Sequence, residues 1–229
     1  MKKKIIIIGA IVLVVAVLAG VYLRFIMDWG NAESTVVENE VKSGEVVETV
    51  SGVKINEIPT DISGSFISEP TSVKTPTTQL MFTVTGPQDA TGKFTDFKVE
   101  YNKEKESLGN IKVTIQANSI TTNNSTRDEH LLKPDFFNVE TYSNITFQSS
   151  EIKLGDTSYI AVGSINFLGI EAPIEIPFIF RGENTRENGK QFLGFKGSLK
   201  FDRTKFGMTH SDDIGDVVDV VFSTEVVAQ

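Results

Sequence analysis

From residue 80 onward, apolar and polar residues alternate with a period of two in run after run, the pattern of strands that turn one face to a core and the other to solvent. In Lys112-Val113-Thr114-Ile115-Gln116-Ala117 the residues Val113, Ile115 and Ala117 share one face and the polar three share the other. In the run from Pro173 to Phe180 the residues Ile174, Ile176, Phe178 and Phe180 align likewise. Runs from Leu80 to Val84, Phe94 to Tyr101, Ile145 to Ile152, Tyr159 to Phe167, Gln191 to Phe201 and Val217 to Val226 complete a set of eight predicted strands. Turn-forming residues separate them: Gly86-Pro87, Gly155-Asp156, Gly169, Gly182-Glu183-Asn184 and Asn188-Gly189. Ser125-Thr126-Arg127-Asp128-Glu129-His130-Leu131-Leu132 reads as a helix, with a Ser-x-x-Asp start that resembles a capping box and Pro134 beyond its end. Closely spaced antiparallel strands with one short helix predict an all-β barrel or sandwich, and a barrel removes the open edges.

Upstream the pattern is different. Residues 5–23 carry no charge, and nineteen residues at helical rise come close to the hydrocarbon thickness of a bilayer. Lys2, Lys3 and Lys4 precede this stretch, Arg24 follows it, and Tyr22 and Trp29 lie near its far end. The expectation is a single-pass transmembrane helix with its N-terminus in the cytoplasm and the remainder outside, in the periplasm or at the cell surface. Cleavage as a signal peptide after Val17-Leu18-Ala19 is the competing reading, and both export the domain. Residues 1–27 are thus expected to be the lysine cluster and anchor, 28–58 a polar, glutamate-rich stalk, and 59–229 the barrel domain. The valine pairs of the stalk could instead form an edge strand, and the stretch from Pro59 to Pro76 reads as irregular.

Composition narrows the chemistry. Without Lys2, Lys3, Lys4 and Arg24, the 22 basic residues fall to 18 against 30 acidic ones, a net charge of −12. Nucleic acid is therefore not an expected partner, because polyanions recruit basic patches. The chain has no cysteine, which excludes disulfides, thiolate catalysis and thiolate metal sites. His130 and His210 are its two histidines, and His210-Ser211-Asp212-Asp213 would need ligands from elsewhere to complete a metal site, so no metal is expected. Arg127, Asp128 and His130 invite a general-base reading. In a capped turn, however, Asp128 is better placed to accept backbone N–H bonds, with Arg127 and His130 tying the turn to its neighbours.

Residues 120–149 run Ile-Thr-Thr-Asn-Asn-Ser-Thr-Arg-Asp-Glu-His-Leu-Leu-Lys-Pro-Asp-Phe-Phe-Asn-Val-Glu-Thr-Tyr-Ser-Asn-Ile-Thr-Phe-Gln-Ser. This closely resembles the YceI-like polyisoprenoid-binding family, whose pattern has Arg-Asp-x-His-Leu, then Asp-Phe-Phe, a tyrosine and an Ile-Thr-Phe-x-Ser strand. The matching positions include Arg127, Asp128, His130, Leu131, Phe136 and Phe137. Gly92-Lys93-Phe94-Thr95-Asp96-Phe97, Gly163-Ser164-Ile165-Asn166-Phe167, Phe201-Asp202-Arg203-Thr204-Lys205-Phe206-Gly207 and Gly215-Asp216-Val217-Val218 follow the family pattern in order. Two departures stand out. The Trp, Asp and His-Ser pair usual before the first strand are replaced by Lys74–Met81, and the loop Gly86–Ala90 is short.

The resemblance implies an eight-stranded antiparallel lipocalin-like barrel that binds, stores or transports a long isoprenoid-type lipid and catalyses nothing. No cofactor is implied beyond such a lipid, and a homodimer is left open. Alternation picks Phe82, Val84, Phe97, Val113, Ile115, Phe147, Ile160, Val162, Ile176, Phe178, Phe195, Leu199 and Phe222 as inward residues lining the cavity. An eight-stranded barrel is wide enough for its own side chains or for one slender ligand. The alternative is therefore a filled barrel serving as a cell-surface interaction or stress-response scaffold. Arg203 and Asp216, in motif positions, are expected to shape strand ends and turns.

Overall fold

The computed structural model describes residues 47–48, 54–68, 78–87, 89–210 and 213–229, all within one unit, Ser43–Gln229. The expected membrane segment and most of the expected stalk lie outside the described residues. Among those described, no helix is long and apolar enough to cross a membrane.

The described residues form an eight-stranded antiparallel barrel with one short α-helix. Its strands are β1 (Val47–Glu48), β2 (Lys54–Ile55), β3 (Gly64–Ser68), β4 (Gln79–Val84), β5 (Ala90–Phe94), β6 (Phe97–Lys103) and β7 (Asn110–Gln116). They continue through β8 (Ile120–Thr121), the helix α1 (Ser125–Leu131), β9 (Asn144–Leu154), β10 (Tyr159–Phe167), β11 (Ile170–Thr185), β12 (Gln191–Asp202) and β13 (Val217–Ala228). β1 and β2 pair only with each other, and the rest form one sheet that closes where β12 pairs with β13.

Eleven sheet strands make eight staves because three staves are split. β3 and β4 lie one after the other along β13, with Ser68 opposite Val226 and Gln79 opposite Ser223. Thr78 bridges the step, its Oγ1 accepting from Glu225 N at 3.1 Å. β5 and β6 are one stave broken at Thr95-Asp96, and β7 and β8 one stave broken by the 3₁₀ turn Ala117–Ser119. The two breaks sit side by side and are stitched by Gln116 N donating to Asp96 O at 2.9 Å and Thr95 N to Ser119 O at 3.1 Å. Both staves therefore bend together without losing backbone bonds, as a barrel corner requires.

All eight predicted strands are present. β3 falls inside the stretch expected to be irregular: of its side chains Phe66 and Ser68 are buried, so the alternation there is half polar and invisible to a hydrophobicity pattern. The end of the expected stalk also needs correction. Ile55 and Ile58 are buried in the barrel's own core, Asn56 bridges to Phe180, and Ile58 N donates to the Tyr159 hydroxyl at 3.0 Å. These residues plug one end of the barrel.

The plugged end is packed solid. Tyr101 meets Phe195 edge-on at 5.2 Å, and Tyr159 stacks on Phe178 at 5.6 Å. Such aromatic pairs contribute about 0.5–1.5 kcal/mol each beyond area burial. Their hydroxyls are satisfied: Tyr101 donates to Leu108 O at 2.8 Å, and Tyr159 accepts from Ile58. Burial, and secondarily the neighbouring Tyr159, pushes the Tyr101 phenol well above its ordinary pKa. Burial also raises Tyr159, outweighing the Ile58 bond. Lys103 Nζ, in a residue only 4% exposed, donates to the carbonyls of Ile62 and Glu104 at 3.2 Å each. Desolvation lowers its pKa against the opposing pull of Glu106 and Asp61.

Candidate functional site

Above this floor the barrel is hollow. A cavity of 580 Å³ runs from Tyr101, Phe178 and Phe195 to the opposite end, where α1 and the segment between β12 and β13 frame it. Of the thirteen inward residues predicted from alternation, eleven line it: Phe82, Val84, Phe97, Val113, Ile115, Phe147, Ile176, Phe178, Phe195, Leu199 and Phe222. Ile160 and Val162 do not. On β10 the inward positions are Tyr159, Ala161, Gly163, Ile165 and Phe167, because Tyr159, Ala161 and Phe167 are buried while Ile160 and Val162 are only partly so. The outward face begins with Ile160 and Val162 before turning polar at Ser164 and Asn166, and that bulkier pair pointed to the wrong face.

Glycines shape the wall in two ways. Opposite Val162/Gly163 the register shifts on β9, and a Cβ on Gly163 would meet Ser149 Cα at 2.7 Å, so the strands approach as only glycine allows. Gly92 and Gly197 are also closely approached by backbone, Thr121 O and Pro177 O respectively, and they do something further. They pair across the sheet with Phe82 and Phe222, and a Cβ at Gly197 would lie 2.5 Å from Phe222 Cζ, with Phe82 equally close over Gly92. Each phenyl ring lies back over a glycine, flat against the wall. The rings line the cavity without filling it.

Polar groups gather at the far end. Thr122, Arg127, His130, Arg203, His210 and Asp213 line the cavity there, beside Leu131, Phe136, Phe137, Met208 and Ile214. α1 is capped by Asn124, whose side chain accepts from Arg127 N at 3.1 Å, not by the Ser125 of the expected capping box. Asp128 reaches back instead to Thr122 N at 2.7 Å, Thr122 Oγ1 at 2.5 Å and Thr121 Oγ1 at 3.0 Å. Arg127 donates to Thr122 Oγ1 at 2.7 Å and Thr122 O at 3.1 Å. Desolvation pushes the Asp128 carboxyl up, but the Thr122 and Thr121 bonds and the Arg127 charge outweigh it and hold it below the ordinary carboxylate range. The Asp128 carboxylate is thus engaged with threonines and not with His130, so it provides no orienter for a histidine base.

Arg203 organises the opposing rim. It is 2% exposed, and it donates to the carbonyls of Gly215 at 2.9 Å, Met208 at 2.6 Å, His210 at 3.0 Å and Ile214 at 3.2 Å. Its ion pair with Asp216 is long, 3.5 Å, and the carboxylate is exposed, so the carbonyl bonds carry the role. The preceding Asp202 accepts from Thr204 N at 2.9 Å and Thr204 Oγ1 at 2.6 Å, which with nearby Lys205 and Arg203 lowers its pKa. Gly207, at φ +80°, ends the 3₁₀ turn Arg203–Phe206 in the left-handed region.

Reasoning on the sequence missed part of the lining, notably Leu80, Phe94, Ile111, Ile145, Ile165 and Phe201. Most of these belong to the same alternating faces and were within reach of the pattern. The convergence of His130 and His210, with ring centroids 6.3 Å apart, was not, since eighty residues separate them.

Comparison with known proteins places this architecture. The YceI-like domain profile matches residues 63–226. A UPF0312 protein of Pseudomonas paraeruginosa is 32% identical over 143 residues, which is 60% of this chain and 74% of that one. The Campylobacter jejuni YCEI protein is similar at 25% identity with a TM-score of 0.56, over 60% of this chain and 84% of that one. A polyisoprenoid binding domain from Saccharophagus degradans implicated in plant cell wall breakdown shares the fold at 12% identity and a TM-score of 0.53, over 73% of this chain and 100% of that one. The profile match spans the barrel from β3 to Val226, near the end of β13, with the motif residues of α1 and of the Arg203 rim inside it, and the chain belongs to the YceI-like domain family.

Proposed function

We propose that the barrel binds one long apolar chain of the isoprenoid type, tail toward Tyr101, Phe178 and Phe195 and polar end at the α1 rim, as a non-enzymatic carrier or store outside the cytoplasmic membrane. The observation that carries this reading is the cavity: 580 Å³, within the range of about 300–1,000 Å³ usual for ligand sites, with aliphatic and aromatic walls and its charged groups at one end. A cavity with walls of this kind takes apolar guests. The family membership and the polyisoprenoid binding domain of Saccharophagus degradans support the ligand class, and the uncharged residues 5–23 behind three lysines support the location.

Each CH₂ withdrawn from water is worth about 0.8 kcal/mol, so such a lipid would not travel free. A bilayer offers nearly the same gain, which leaves a small difference between cavity and membrane. That balance suits reversible hand-over, and a tether would keep the barrel near its source of lipid.

Native mass spectrometry of the chain from Glu33 onward, purified without detergent, followed by organic extraction, tests the reading. A stoichiometric adduct of prenyl-series mass is the expected result. An apo mass unchanged after incubation with prenyl lipids would replace it with the scaffold reading.

A further inference from the structure

The two histidines of the chain meet at the cavity rim together with an aspartate. His130 ends the last full turn of α1, Asp135 lies in the turn that follows, and His210 comes from the segment between β12 and β13. One ligand atom from each lies within 4.8 Å of the others, and all three residues are exposed. We propose that His130, Asp135 and His210 bind a divalent transition-metal ion of the Zn²⁺ class.

Two imidazoles and a carboxylate are the donor set that borderline divalent cations prefer, and three protein ligands leave a coordination position for water or an incoming oxygen donor. With metal–ligand distances of about 2.0–2.2 Å, tetrahedral ligand atoms lie about 3.3 Å apart, a contraction that exposed side chains reach by small rotations. The scaffold beneath them is fixed. The turn carrying Asp135 is closed by Lys133 N to His130 O at 3.1 Å, Phe136 N to Lys133 O at 3.0 Å and Phe137 N to Leu131 O at 3.0 Å. The main chain of His210 is held by Arg203. Phe136, buried, packs beneath both imidazoles with edge contacts of 5.1 Å to His130 and 5.2 Å to His210. Neither histidine is needed for the backbone of the barrel. A bound ion would join α1 to the β12–β13 segment across the cavity rim.

The test uses the full-length chain in detergent micelles, stripped with EDTA and titrated with ZnCl₂ by calorimetry, with metal content counted by mass spectrometry. The expected result is one Zn²⁺ per chain with micromolar affinity and a rise in melting temperature at saturation. Asp135→Asn and His210→Gln should each weaken binding by at least the about 10–100-fold typical of losing even a supporting residue, with metal-free melting temperatures unchanged. Substituted Co²⁺ should show visible bands that both variants abolish. Uptake that survives both variants, or that CaCl₂ reproduces equally well, would assign the cation to the acidic surface and overturn the proposal, as would no uptake at all.

Discussion

Replacing Arg203 with methionine keeps the bulk and removes the fork. The carbonyls of Met208, His210, Ile214 and Gly215 would then face a low-dielectric rim with no donor, and buried acceptors left unmade cost about 1–3 kcal/mol each where no water reaches them. We expect Arg203→Met to lower the unfolding free energy by about 3 kcal/mol in urea titrations, with Arg203→Lys recovering less than half, because a point charge cannot serve divergent carbonyls. A loss under 1 kcal/mol would show that the rim is held by something else. Ile176 poses the opposite case. It is partly buried yet faces the cavity, so Ile176→Trp should abolish lipid uptake with a melting temperature within a few degrees of the parent. Phe178→Trp, by contrast, intrudes on the packed floor against Tyr159 and Phe195 and should cost about 1–3 kcal/mol. Gly92→Ala would push the Phe82 ring off the wall, and its signature is reduced lipid capacity in the extracted adduct.

At the scale of elements, α1 is too short to stand by propensity and is attached through Asp128 and Arg127 to the threonines that follow β8. Because the folded Asp128 pKa lies below the unfolded value of about 3.9, its contribution is complete above that value and is lost as pH falls toward the folded pKa, where both states bind the proton. Asp128→Asn should therefore be less stable than the parent at pH 7, with the gap in thermal melting closing below about pH 4. A gap independent of pH would mean that the carboxylate's charge is not what matters. The eight staves were legible because each carries its own period, and the helix because Pro134 follows its end and polar capping residues precede it. β3 was not, since Ser68 occupies an inward position to accept from Val99 N at 2.8 Å, a polar residue doing a strand's work. The inward face of β10 was not legible either, because Ala161 is small there and Gly163 answers to the close approach of β9 and not to hydrophobicity. The floor plug escaped for a third reason: Ile55 and Ile58 are isolated apolar residues whose partners, Tyr159 and Phe180, lie more than a hundred residues downstream.

Taken whole, the barrel divides along its axis: an aromatic floor, a hollow middle and a polar rim. Alternation could find the walls because that information is local. The rim had to be assembled from residues far apart in sequence, and no local pattern joins His130 to His210. The closure between β13 and the split first stave carries a further consequence, for the order in which the fold can form. β13 holds β12 on one side and β3 and β4 on the other, so the seam joins residues about 140–160 apart in sequence. Such non-local pairing makes folding slow, and until residues from Val217 onward emerge from the ribosome every nascent intermediate has two open sheet edges and an uncovered apolar interior. Until that seam closes, the unpaired edges of β12 and of the β3–β4 stave are the places where a second chain or a chaperone would bind.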